Sequence, residues 1–177
     1  MKTIGIDPGT SGAMALYDSE TGALEVLDLP VVAALMKSRK SGTCKQLDLV
    51  ALQSALGVWH WGNGAELALL EQVSARPLEG PAGAFSFGRT YGQLEALLTL
   101  SGMRLERVQP AKWKAAMKCP GKTKGAKPAE TAAAIAQRAD EIFPAYRALW
   151  RGPRGGVLLD RAEAALMAKY AAQEFRT

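Results

Sequence analysis

A chain of 177 residues with 48% apolar content is long enough to bury a sizeable core and too apolar to be disordered. No run approaches the ~20 apolar residues of a membrane span, and no signal peptide precedes the first predicted strand. The net charge of +5 is less informative than where it falls. Thr3 to Ile6 is a β-prone run, too short for a helix, stopped at once by Asp7-Pro8-Gly9. Ala13 to Tyr17 follows after one tight turn, and Leu24 to Leu29 completes a meander of three strands. Lys37 to Thr43 is polar and reads as a loop. From Cys44 to Trp59, Leu47, Val50, Leu56 and Trp59 recur at helical spacing, which predicts an amphipathic helix. Asn63-Gly64 turns the chain into a strand, Leu67 to Leu70, that ends in Glu71.

The segment Ser74 to Ser86 holds two prolines and two glycines and reads as a loop. Phe87 to Gly102 is a predicted helix, Arg104 to Val108 a short strand, and Pro110 to Met117 a short helix with Pro at its start. A basic loop, Lys118 to Lys127, leads into a helix from Pro128 to Ile142, and a last helix runs from Leu158 to Phe175. The order β-β-β-α-β-α-β-α-α-α predicts one α/β domain over residues 1–177. Its mixed five-stranded sheet contains the antiparallel meander and is flanked by helices. Cys44 and Cys119 stand far apart with no second thiol nearby, which suggests neither a zinc site nor a disulfide framework. A reducing cytoplasm, or an organelle matrix after processing, fits that pattern.

Between Arg104 and Lys127 lie Arg104, Arg107, Lys112, Lys114, Lys118, Lys122, Lys124 and Lys127 against one acid, Glu106. Any single lysine among them reads as ordinary solvated surface. Eight bases against one acid form a field that repels itself unless a polyanion neutralises it, and nucleic acid is the usual partner. Smaller clusters are Lys37, Arg39, Lys40, Lys45 and Arg147, Arg151, Arg154. Trp113, between two lysines, offers either a face for base stacking or a packing residue of its helix. His60, in Trp59-His60-Trp61 at a helix end, suits capping better than catalysis.

The acids are arranged differently. Asp7 and Glu71 each end a strand, and Asp160 and Glu163 sit three apart near the start of the last helix, on one face. A turn role for Asp7, and favourable interaction of Asp160 and Glu163 with the helix dipole, are the plainer readings. If the strand ending in Glu71 lies beside the first strand, all four carboxylates converge. Such a cluster repels itself, and hard divalent cations bound through carboxylate oxygens resolve that repulsion. Two such ions about 4 Å apart could stabilise the attacking and leaving oxygens of a phosphoryl displacement.

Ile4-Gly5-Ile6-Asp7-Pro8-Gly9, Leu70-Glu71-Gln72-Val73 and Asp160-Arg161-Ala162-Glu163-Ala164 together resemble the RuvC-type Holliday-junction resolvases, a family of ribonuclease H-like fold. The resemblance spans nearly the whole chain in the right order. Val108-Gln109-Pro110-Ala111-Lys112-Trp113-Lys114, followed by the 160–164 segment, is most similar to the chloroplast branch and its phage relatives. The resemblance implies a homodimer in which each subunit cuts one strand of a four-way DNA junction with Mg²⁺ or Mn²⁺, leaving a 5′-phosphate and a 3′-hydroxyl. It implies that Asp7, Glu71, Asp160 and Glu163 bind metal and, with Lys114, carry catalysis. Glu163 stands where the bacterial enzymes usually have aspartate or histidine. Lysines near the scissile phosphate match Lys114 and Lys127, and the implied nucleic-acid surface comprises Arg76, Lys112, Trp113, Lys114, Lys118, Lys122, Lys124 and Lys127. The bacterial aromatic wedge is replaced by Ser74 here; Phe85 or Phe87, just beyond the loop, could serve instead, and core packing on its helix is the plainer reading of Phe87.

Three other readings compete. The first hairpin also resembles the phosphate-binding hairpin of the sugar kinase and actin superfamily, but that fold needs two lobes and no acids at 160 and 163. A basic junction- or RNA-binding module without catalysis gains nothing from buried negative charge. A nuclease acting on structured RNA, such as ribosomal RNA precursors, meets the same phosphates and is separated only by substrate choice.

Overall fold

The computed structural model describes residues 1–35, 43–74, 80–120, 127–153 and 155–176. Strands β1 (Lys2–Asp7), β2 (Ala13–Asp18) and β3 (Leu24–Asp28) form the expected antiparallel meander. Strand β4 (Val31–Leu35) pairs with β5 (Thr43–Leu47) as a separate two-stranded sheet. Helix α1 (Leu49–Gly57) runs into a π-helical turn, Val58–Gly62. Strand β6 (Leu67–Glu71), helix α2 (Pro81–Leu100) and strand β7 (Arg104–Val108) follow. Helices α3 (Pro110–Ala116) and α4 (Pro128–Ile142), a 3₁₀ turn at Pro144–Trp150, and helix α5 (Leu159–Glu174) complete the chain. The main sheet has the order β3-β2-β1-β6-β7, and β6 runs parallel to both its neighbours.

Two expectations are corrected. Cys44 to Leu47 is strand rather than the start of a helix, because its backbone pairs antiparallel with Val31 to Ala34 of β4; within the segment Leu47 alone is buried. The helix starts only after Asp48, whose carboxylate accepts from the Val50 and Ala51 amides at 3.1 and 3.0 Å as an N-cap. The helix expected from Phe87 begins six residues earlier, at Pro81, a residue suited to the first helical position. Much of the segment read as a loop is therefore α2, and residues 75–79 lie outside the described residues.

The alternation of strand side chains assigns each residue to a face. Ile4, Ile6, Met14, Leu16, Ala68 and Leu70 point toward α1 and α2, where they meet Leu52, Leu56, Leu94 and Leu98. Ala13, Ala15, Leu67 and Leu69 point the other way, toward α3, α4 and α5. Helix α5 crosses that second face directly over β1 and β2. Its approach is unusually close because Gly5 has no side chain: a Cβ there would lie 2.3 Å from both the Ala164 carbonyl oxygen and the Ala168 amide nitrogen. Ala162, Ala164, Ala165, Ala168, Ala171 and Ala172 keep the helix slim at this contact. Thr3 Oγ1 donates to the Ala168 carbonyl at 2.7 Å, fixing the helix along the strand.

Candidate active site

The odd positions of β1, Thr3, Gly5 and Asp7, face α5, and so do Leu67, Leu69 and Glu71 of β6. Ile4 pairs with Ala68 and Ile6 with Leu70 in the parallel register, so Asp7 and Glu71 end neighbouring strands at the same level. Asp160 lies in the first turn of α5 and Glu163 one turn further on. The Gly5 contact thus brings the start of α5 down on the two strand ends. Carboxylate oxygens of Asp7, Asp160 and Glu163 fall within 4.8 Å of one another. Glu71 is buried beside them and raises the proton affinity of both Asp7 and Glu163 through its charge.

The cluster is desolvated as well as crowded. Asp7 is pushed up to about 9, first by burial and then by the charges of Glu163, Glu71 and Asp160; it holds its proton and donates to Asp160. Burial raises Asp160 too, against the opposite pull of its hydrogen bonds with Asp7 and Ser11. Burial likewise raises Glu163, with Lys114 working against it. Lys114, at the last turn of α3, reaches Glu163 Oε1 at 2.7 Å. Burial disfavours its ammonium, but the charge and hydrogen bond of Glu163, with the charge of Glu71, outweigh that and hold its pKa above the usual lysine value.

Arg161 sets the first turn of α5 from outside the cluster. Its guanidinium donates to both oxygens of Asp28 at 2.6 Å, and to the Leu149 carbonyl at 3.0 Å. That pairing holds the Asp28 carboxyl below its usual range. The Asp7-Asp160-Glu163 set offers only carboxylate oxygens, the donor type of hard divalent cations rather than of zinc or copper. A group of buried acids that retains a proton at neutral pH lacks the positive charge a divalent cation would bring, so the residues present fit such an ion.

The basic residues are distributed less simply than their spacing suggests. Lys112 pairs with Glu174 at 2.9 Å, Arg107 with Glu95 at 2.6 Å, and Arg104 with Glu106 while lying over the Phe175 ring. Acids from α2 and α5 therefore offset part of a field that looks unopposed along the chain. Lys118 and Lys127 are exposed; Lys122, Lys124 and Arg76 lie outside the described residues. Trp113 is corrected: it is fully buried and presents no face to a base, and its indole N–H donates to Glu71 Oε1 at 2.8 Å. Nothing in the spacing of Trp113 and Glu71 announces that contact, which depends on α3 returning beneath the end of β6. Phe85 is 75% exposed near the start of α2, whereas Phe87 is half-buried. His60 Nδ1 sits 2.6 Å from the Ala65 carbonyl and anchors the π-helical turn. Both thiols are free, and burial pushes Cys119 up to about 11, which leaves it unreactive.

No family model and no curated protein matches the chain. Solved structures do. Thermus thermophilus RuvC in complex with a Holliday junction substrate matches 99% of this chain and 96% of its own, with a TM-score of 0.55 and 17% identity. The fold is ribonuclease H-like. The fowlpox virus Holliday junction resolvase shares it over 99% of this chain and the whole of its own (TM-score 0.52, 12% identity). The yeast mitochondrial Holliday junction resolvase does so over 95% of this chain and 76% of its own (TM-score 0.53, 15% identity). In this ribonuclease H-like chain the acids occupy the ends of β1 and β6 and the first turns of α5, where the sheet and the helix layer meet.

Proposed function

We propose that the protein is a metal-dependent, structure-selective endonuclease that resolves four-way DNA junctions by paired phosphodiester hydrolysis. The observation that carries this reading is the buried convergence of Asp7, Glu71, Asp160 and Glu163, with Lys114 paired to one of them. A module that only bound phosphates would gain nothing from burying this much negative charge. Solved Holliday-junction resolvases that share the fold support the choice of substrate. The segment from Val108 to Lys114 and the Glu163 side chain support placement near the chloroplast branch and its phage relatives.

Asp7, Glu71, Asp160 and Glu163 would hold Mg²⁺ or Mn²⁺, which when bound supplies Lewis acidity and a water nucleophile at neutral pH. Asp7 and Glu71, on a rigid sheet, set the floor of the site. Asp160 and Glu163 close it from the helix side. Lys114 brings an ammonium to the edge of the cluster, where it can face the charge that builds on a phosphate under attack. Exposed Lys118 and Lys127, with Lys122 and Lys124 between them in sequence, would track the phosphate backbone. Phe85, exposed, is the first aromatic along the chain after Ser74, which stands at the position of the bacterial wedge. Two copies of the chain would present two such sites to the two-fold symmetry of an opened junction.

The deciding experiment incubates the protein with a synthetic four-way junction, linear duplex of the same sequence and an RNA hairpin, each with Mg²⁺ and with EDTA. Symmetric nicks in the junction that need Mg²⁺ are expected, and excess linear duplex should compete poorly at about 0.1 M salt because selectivity comes from geometry rather than charge. Preferential cutting of the hairpin would replace junction resolution with RNA processing. Asp7→Asn, Glu71→Gln and Asp160→Asn should each abolish cutting while leaving junction binding intact.

A further inference from the structure

Trp113 occupies a position that packing alone does not account for. It is fully buried in α3, its Nε1 donates to Glu71 Oε1 at 2.8 Å, and Lys114 Nζ lies 5.1 Å from its ring centroid while bonding Glu163 at 2.7 Å. Buried indoles generally find an acceptor, and Trp59 and Trp150 also donate to carboxylates, Glu25 at 3.0 Å and Asp140 at 2.7 Å. Those acceptors differ from Glu71. Glu25 is on an exposed position of β3, and Asp140 is engaged by Arg151. Glu71 is 7% exposed and crowded by other acids.

Resting on the reading of the acids as cation ligands, we infer that Trp113 is a positioning residue that orients Glu71 for metal binding. The indole commits Oε1, so it is Oε2 that this carboxylate, whose charge is felt by both Asp7 and Glu163, has left to offer a cation. Without it the carboxylate turns about its last torsion, a broad two-fold rotation, and must be ordered when a cation binds. Hydrogen-bond partners of ligating carboxylates typically govern metal affinity in this way. The same ring supports the Lys114 ammonium, so one side chain relates the strand acid to the helix acid across the cluster.

The test measures Mn²⁺ binding calorimetrically on the full chain, on Trp113→Phe, on Glu71→Gln and on the double variant. Phenylalanine keeps a ring beneath Lys114 and removes only the N–H. Trp113→Phe should weaken Mn²⁺ binding by about 10- to 100-fold, while adding it to Glu71→Gln should change affinity by less than about 2-fold, because the two act through one contact. Unchanged affinity in Trp113→Phe, or the same fold-loss in both backgrounds, overturns the inference. A wild-type chain that binds no Mn²⁺ overturns the metal reading itself and the inference with it. Should Trp113→Phe not fold, ¹⁵N spectra of the wild type decide the matter. The indole N–H signal displaced by Glu71→Gln should move during Mg²⁺ titration, and indole signals that all stay fixed at saturating Mg²⁺ refute the positioning role.

Discussion

Asp7→Asn is expected to stabilise the metal-free protein while it destroys cleavage. Between the ordinary carboxyl value of 3.8 and about 9, the native chain keeps a proton on Asp7 that the unfolded chain releases. Metal-free stability therefore falls as pH rises through that window, and acid restores it. Each pH unit of the mismatch costs about 1.4 kcal/mol, so the cost approaches ~4 kcal/mol at pH 7. Asparagine has the same shape, carries no charge and does not titrate. For a domain of this size 1 kcal/mol moves the melting temperature by about 2–4 °C, which puts the expected gain at roughly 8–16 °C at pH 7. Melting curves in EDTA from pH 4.5 to 8.5 should show the gap between variant and wild type opening with pH. Adding Mg²⁺ should close it again, because the wild type gains binding free energy that the variant lacks. A variant that melts below the wild type at pH 8 without metal, or a gap that does not depend on pH, would refute a destabilising, proton-retaining Asp7.

Gly5→Ala places a methyl 2.3 Å from two backbone atoms of α5; it should cost at least ~1–3 kcal/mol in denaturant unfolding and weaken Mn²⁺ binding, although Gly5 bears no functional group. Lys114→Ala should lower the single-turnover cleavage rate by about 10²-fold with little loss of junction affinity. Phe85→Ala should slow junction cutting without changing melting temperature, as expected for an exposed side chain. Charge reversal at Lys122 and Lys124 should reduce the log–log salt slope of binding by roughly 0.9 for each lost phosphate contact, which binding isotherms at several salt concentrations will read.

The strand ends and the helix face were legible because each follows a short-range rule. Thr3 to Ile6 and Leu67 to Leu70 are apolar runs that stop at an acid, and Asp160 and Glu163 share a face by spacing alone. The β4–β5 pair was not legible, since Cys44 to Leu47 continues the apolar spacing of α1 and only Asp48 marks the boundary. Pro81 carried the true start of α2, but its neighbouring glycines read more strongly as loop. Charge along the chain misled for a different reason: Glu95 and Glu174 reach Arg107 and Lys112 from elements distant in sequence. The Trp113–Glu71 bond joins residues 42 apart, and no local pattern encodes it.

The placement of Asp160 and Glu163 on α5 has a consequence for how activity is lost. Leu166, Met167 and Tyr170 of the same helix lie in the centre of the core, and the helix rests on β1, β2, β3 and β6. Detachment of α5 would open the core and, in the same event, carry two of the four acids away from the other two. A molecule damaged enough to loosen this helix therefore retains no half-assembled cutting centre. Inactivation should coincide with global unfolding, and heat-stressed populations should divide into fully competent and fully inert molecules rather than pass through forms that nick DNA indiscriminately.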